Sequence, residues 1–121
     1  MEERIRYIEH QGKCILLIDI SHCSAEEVAT IARLVPSYVT SEPRESVLLL
    51  ADFTGAEFDR IAIDRLKEGT VFDKPHIRRS AWVGIESLPK VFYEHIKSFS
   101  RRDLPAFKTR EEALEWLVGE E

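Results

Sequence analysis

Three short stretches hold residue types that can do chemistry. "LIDISHCS" places Asp19 after an apolar run and follows it with His22 and Cys23. "LLLADFTGAEFD" places Asp52 after a second such run and follows it with Thr54, Gly55 and Asp59. "KPHIRRSAWVGIE" gathers Lys74, His76, Arg78 and Arg79 ahead of a third apolar segment that closes at Gly84. Two carboxylates are the material of general acid–base catalysis if they converge with His22 within hydrogen-bond reach. A Cys beside a His is the material of an activated thiolate if a third group orients the ring. Clustered Lys and Arg on an acidic chain suit an acidic partner or a phosphate-bearing ligand.

Each constellation also has a plainer reading. A carboxylate at a strand end beside helix N-termini accepts backbone N–H groups, which is the reading preferred here for Asp19 and Asp52. The single Gly after Asp52, with no following Lys, lacks the donors that cradle a phosphate. Thr54, three residues ahead of Glu57, has capping-box spacing and reads as a helix cap rather than a nucleophile. Adjacent side chains seldom face each other, so Cys23 reads as a small hydrophobe. His10, His22, His76 and His95 with Cys14 and Cys23 show no metal-ligand spacing, and no cofactor or metal is expected. A second basic group, Lys97, Arg101, Arg102, Lys108 and Arg110, lies downstream; its first members also suit a helix C-terminus. Val71, Phe72 and Tyr93 are candidates for an apolar entrance between helices.

The elements that must position these residues follow from periodicity. "RIRYIEHQGKCILLIDI" reads as two strands turning at Gln11–Gly12, the second apolar enough to be buried on both faces. Ser24 and Glu27 have capping-box spacing ahead of a helix whose stripe is Val28, Ile31, Ala32 and Val35, which Pro36 ends or kinks. "SVLLLADF" is the next buried strand, and Phe58, Ile61, Ala62 and Leu66 form the stripe of the helix after it. "IRRSAWVG" is a third core strand, with Trp82 inward. Pro89 opens a helix with the stripe Val91, Phe92, His95, Ile96 and Phe99. "LPAFK" is a short strand, and Thr109 with Glu112 caps a final helix burying Ala113, Leu114, Leu117 and Val118. The order ββαβαβαβα predicts a single α/β domain spanning 1–121, with a mixed, mostly parallel sheet and helices packed on it.

The chain has 121 residues and balances 44% hydrophobic with 32% charged residues, as a globular domain with its own core does. A net charge of −5 argues against general nucleic-acid binding. Neither a signal peptide nor a membrane-spanning run is evident, and two cysteines are too few for a secreted scaffold, so a cytoplasmic location is expected. A two-component receiver domain fails on counting. Only one helix separates Asp19 from Asp52, and no acidic pair ends the first strand.

The hairpin, "ILLIDI", "VLLLADFTGAEFD" and the closing "LPAFKTREEALEWL" together resemble the STAS superfamily in its SpoIIAA-like branch of small bacterial proteins. The resemblance implies a mixed sheet flanked by helices, and a regulatory role in protein–protein or small-ligand recognition rather than catalysis. Partners of the best-known members include an anti-sigma-factor kinase, and phosphorylation of a Ser in an Asp-Ser-Ser-Gly turn switches them. Here the matching stretch is "FDRIA": Asp59 is present, but Arg60 and Ile61 stand in place of the hydroxyls. The expectation is a non-enzymatic domain recognising a protein partner through the C-terminal edge of the sheet and the following helix, homo-oligomerisation being open. Asp52, Thr54, Asp59 and Arg60 are the leading residues, with Asp19, Gly84 and Arg78 behind them. A carrier of a small hydrophobic or anionic ligand between helices and sheet is the alternative. A small enzyme using Asp19, Asp52 and His22 is the third reading.

Overall fold

The computed structural model describes residues 2–119. The strands β1 (Ile5–His10) and β2 (Lys13–Asp19) form the antiparallel hairpin, turning at Gln11–Gly12 with His10 opposite Lys13. β2, β3 (Val47–Asp52), β4 (Ile77–Val83) and β5 (Ala106–Phe107) run parallel, completing a five-stranded mixed sheet in the order β1-β2-β3-β4-β5. The α/β class and the hairpin at the start of a largely parallel sheet are thus as the sequence predicts.

Side chains alternate across a strand, so a strand covered on both faces must be apolar at every position. β3 is such a strand, buried from Val47 through Asp52. Leu16, Ile18, Leu49, Ala51 and Trp82 form one face, covered by α1 (Ala25–Leu34), α3 (Arg60–Phe72) and α4 (Lys90–Ser100). Ile15, Leu17, Leu48, Leu50, Ala81 and Val83 form the other, covered by α5 (Arg110–Val118) through Ala113 and Leu117. Ser24 and Glu27 close a full capping box on α1, and Thr109 accepts the Glu112 N–H to start α5. Pro36 does more than end α1. It opens the short helix α2 (Pro36–Val39) at the position where a missing N–H goes unnoticed.

Three expectations give way. The helix after β3 does not start beneath Thr54; it starts at Arg60, with Asp59 as the cap accepting the Ala62 N–H at 2.9 Å. Its buried residues are Ala62, Leu66 and Thr70, while Ile61 is 60% exposed and Phe58 lies ahead of the helix, half-buried. α4 is turned by about one residue from its expected stripe. Phe92, Tyr93, Ile96 and Ser100 face inward, and Val91, His95 and Phe99 face out. Tyr93 decides this, because its ring packs on Trp82 and its hydroxyl donates to the Leu104 carbonyl. An amphipathic Tyr satisfied at both ends outcompetes Val91 for the core. The proposed apolar entrance disperses accordingly. Tyr93 is core, while Val71 and Phe72 are exposed at the end of α3. No helix of the described residues is long and apolar enough to cross a membrane.

Candidate functional site

β2 and β3 are in register with Asp19 opposite Asp52, so the two carboxylates stand side by side at the C-terminal edge. Each is followed by the same turn. Asp19 Oδ1 accepts from Ser21 N at 3.1 Å and Ser21 Oγ at 2.6 Å; Asp52 Oδ1 accepts from Thr54 N at 3.0 Å and Thr54 Oγ1 at 2.6 Å. The next residue in each turn, His22 (φ 58°) or Gly55 (φ 68°), is left-handed. Short polar side chains closing such turns compete with helix capping for the same groups. Thr54 is therefore a turn residue rather than a helix cap.

One side chain ties both turns together. Arg110 donates from Nε to Asp52 Oδ2 at 2.7 Å, and its Nη2 lies 3.0 Å from Asp19 Oδ1. Arg4 adds a donor from the other side, bonding the Ser21 carbonyl at 2.8 Å and the Asp19 carbonyl at 3.2 Å. Burial pushes the Asp19 carboxyl up, but the two Ser21 hydrogen bonds and the charges of Arg110 and Arg4 outweigh it and hold it below the usual carboxylate value. Burial likewise opposes the Arg110 charge, yet the Asp52 and Asp19 carboxylates raise its pKa above the ordinary arginine value. A carboxylate held down in this way is a poor proton acceptor at neutral pH.

The rest of this edge is close-packed. A Cβ on Gly84 (φ 76°) would stand 2.4 Å from the Thr54 nitrogen, and one on Gly55 would stand 2.4 Å from His22 Nδ1. Only glycine allows those contacts. Among the described residues, no hydrogen bond joins His22 to either carboxylate; Arg110 occupies the position between the carboxylates that a catalytic His would need. Cys23 is buried, and burial pushes its thiol up, which opposes thiolate chemistry. Among the described residues no group of three His, Cys, Asp or Glu comes together to hold a metal ion. Of the expected site residues, Asp19, Asp52, Thr54 and Gly84 meet here. Asp59 and Arg60 sit at the start of α3, and Arg78 lies at the opposite end of the sheet.

At that opposite end the basic residues do assemble. A groove of about 470 Å³ is lined by Lys74, Arg78 and Arg79 at the start of β4, by Arg101 and Arg102 after α4, and by Arg44 before β3. Its acidic lining residues are Glu45 and Asp103. Lys74 Nζ is 3.3 Å from the Ser100 carbonyl and 3.2 Å from that of Arg101, so it caps the C-terminal end of α4. Arg79 lays its guanidinium over Trp116, 3.7 Å from the ring centre. Arg102 donates to the Thr70 carbonyl at 3.1 Å and to Ser80 Oγ. Burial lowers the Arg102 pKa to about 10, so it stays cationic at neutral pH.

Arg102 also lines a separate cavity of about 50 Å³ between the sheet and helices α1 and α3, walled by Ile18, Leu49, Phe53, Leu66 and Trp82. Asp73 sits in the same wall, 4% exposed, and among the described residues its Oδ1 has no hydrogen-bond partner. Burial pushes its pKa up to about 6 despite the opposing charges of Arg102 and His76.

Compared with known proteins, the chain matches no family model, no curated protein and no solved structure. Arg110, Arg102 and Asp73 are the residues that sequence reasoning passed over as individuals. Arg110 did carry a signal, since a cation in the residue after a helix cap opposes the helix dipole and calls for a carboxylate partner.

Proposed function

We propose that the chain is a non-enzymatic, STAS-like recognition domain that holds an anionic ligand or partner in the basic groove at the N-terminal edge of its sheet. The observation that carries this reading is the groove itself: among the described residues, six Lys and Arg and two acids line about 470 Å³, on a chain whose net charge is −5. A concavity of that size is of the order of a ligand site, and clustered cations favour an anionic occupant. The STAS-like part of the reading rests on the sequence resemblance; the sheet is five-stranded and mixed, with the hairpin first, as that resemblance implies. Control by a phosphorylated helix-start turn has little support, because Asp59 is engaged as the α3 cap and no hydroxyl follows it. Recognition through Asp52 and Thr54 also has little support, their polar atoms being taken up by one another and by Arg110. Carriage of a hydrophobic molecule is disfavoured by the size of the inner cavity. About 50 Å³ holds roughly three or four waters.

Thermal unfolding with added sodium polyglutamate or inorganic pyrophosphate tests the reading, with polylysine as the control. A rise in Tm with either anion at low salt, lost near about 0.5 M NaCl, is the expected result. No rise with either anion at low salt overturns it.

A further inference from the structure

We infer that the cavity between the sheet and helices α1 and α3 is a binding site for a small neutral amide, held between Asp73 and Arg102. This site is separate from the basic groove, although Arg102 lines both. The first support is the Asp73 carboxyl. Asp73 stands between α3 and the single turn Lys74–His76, yet its side chain makes no capping bond there. Among the described residues its Oδ1 is buried without a hydrogen-bond partner. Arg102 gives its bonds to the Thr70 carbonyl and Ser80 Oγ rather than to Asp73. A buried carboxylate oxygen with nothing to accept calls for a donor from outside the chain.

The second support is the wall around that oxygen. Ile18, Leu49, Phe53, Leu66 and Trp82 are among its apolar residues, and Arg65, Thr70, Asp73 and Arg102 are polar. About 50 Å³ has room for roughly three or four waters, and each water needs about two to four polar partners. So apolar a wall cannot supply them, and a molecule with an apolar end fits better. The charges choose its other end. Arg65 lies 3.4 Å from Glu68, which balances it, and Asp73 and Arg102 remain. A cation would meet Arg102 and an anion Asp73, whereas an amide gives an N–H to the carboxylate and its carbonyl to the guanidinium. The way in lies beside Gly69. Ala32, Arg65 and Gly69 line both the cavity and an outer recess of about 260 Å³. A Cβ on Gly69 would lie 4.0 Å from the Ala32 carbonyl oxygen, so a longer side chain there would fill the gap between α1 and α3.

Backbone N–H NMR of the intact chain tests this by titration with acetamide, acetate and acetamidinium, which share one shape and differ in charge. At about pH 7.5 the Asp73 carboxyl, pushed up by burial to about 6, is ionised. The expected result is saturable binding of acetamide with a Kd on the order of 1 mM, its shifts centred on Gly69, Thr70 and Trp82. Acetate and acetamidinium should bind at least about tenfold more weakly, since each brings a like charge against one wall residue. Asp73→Leu should abolish the acetamide response, and Gly69→Leu should weaken it at least about tenfold by filling the mouth. If Asp73→Leu fails to fold, Gly69→Leu still decides, because leucine suits a helix interior better than glycine does. Acetamide shifts that grow linearly without saturating overturn the inference and leave the cavity to water. So does equal binding of acetate or acetamidinium, and so does undiminished acetamide binding in a folded Asp73→Leu or Gly69→Leu chain.

Discussion

At the C-terminal edge of the sheet, two strand-end carboxylates share the guanidinium of Arg110. Roughly 20 Å away along the strands, six cations and two acids among the described residues line a groove. The first arrangement satisfies itself: every polar contact there, from the Ser21 and Thr54 turns to Arg110, is with the protein's own chain. At the second, Lys74, Arg79 and Arg102 are also engaged by the chain, while Arg44 and Arg101 stand exposed to solvent. Strand-end carboxylates attract attention in a sequence because catalytic groups occupy such places, yet here they serve as the clasp holding α5 over β2 and β3. The difference teaches that residues suited to chemistry become a site only when something is left for a ligand to satisfy. The same contrast separates two acids. Asp19 beside Arg110 is held below the usual carboxylate value, whereas Asp73 near Arg102 is pushed up to about 6, because burial outweighs its neighbours' charges.

The most forceful way to break the clasp is to remove its cation. Arg110→Leu leaves Asp52, 5% exposed, without its counter-charge. Breaking a buried pair costs about 3–5 kcal/mol; with 36% of the Arg110 side chain exposed, a loss of about 2–3 kcal/mol is expected. Urea unfolding with an unchanged m-value measures it. A loss under about 0.5 kcal/mol, the range of ordinary surface changes, would mean that the edge is free to act as a site after all.

The next effect is read from pH and concerns the contrast between Asp19 and Asp73. Since Asp73 has a folded value of about 6, above its ordinary 3.8, the folded state binds this proton more tightly than the unfolded chain. Its contribution is complete below the unfolded value and is lost as pH rises through about 6. Asp19, shifted downward, behaves oppositely, losing its contribution only as pH falls below its ordinary value. Between pH 7 and pH 5 only Asp73 is in its window, so stability should rise by about 1–2 kcal/mol on acidification, and Asp73→Asn should flatten that slope. A wild-type chain with no slope in this range would show that the Asp73 carboxyl is not held neutral by burial.

How much of this was legible beforehand depended on the range of the interaction. The strands were legible because burial on both faces demands unbroken apolar runs such as "ILLI" and "VLLLA". The caps at Ser24 and Thr109 were legible because a cap and its partner lie three residues apart. The α3 start was misread because Thr54 and Asp59 both offer a capping oxygen, and sequence does not tell which one Asp52 has already engaged. The face of α4 was misread because the hydroxyl partner of Tyr93 lies beyond the helix, at Leu104. The groove joins residues near 44, 74–80 and 101–103, and only the folded sheet brings those segments together.

Asp59 sharpens the comparison at about half the size of the Arg110 effect. As the α3 cap it should cost about 1 kcal/mol when replaced by Ala, and Asp59→Ser should restore most of that. Denaturation midpoints of the two variants decide it. Equal stability of Asp59→Ala and the parent chain would return Asp59 to the list of free recognition residues.

The smallest expected change in stability falls in the groove. Arg101 ends α4 in a left-handed conformation, φ 56°, which Asn tolerates better than Arg does. Arg101→Asn should therefore leave stability within about 0.5 kcal/mol of the parent, on the favourable side if anywhere. The same variant should reduce the salt-sensitive Tm rise produced by polyglutamate, because it removes one of the groove's exposed charges. A residue whose loss affects ligand response but not folding is the opposite of Arg110, whose loss affects folding first. If Arg101→Asn destabilised the chain as Arg110→Leu does, the groove cations would also be part of the scaffold, and the difference between the two ends of the sheet would disappear.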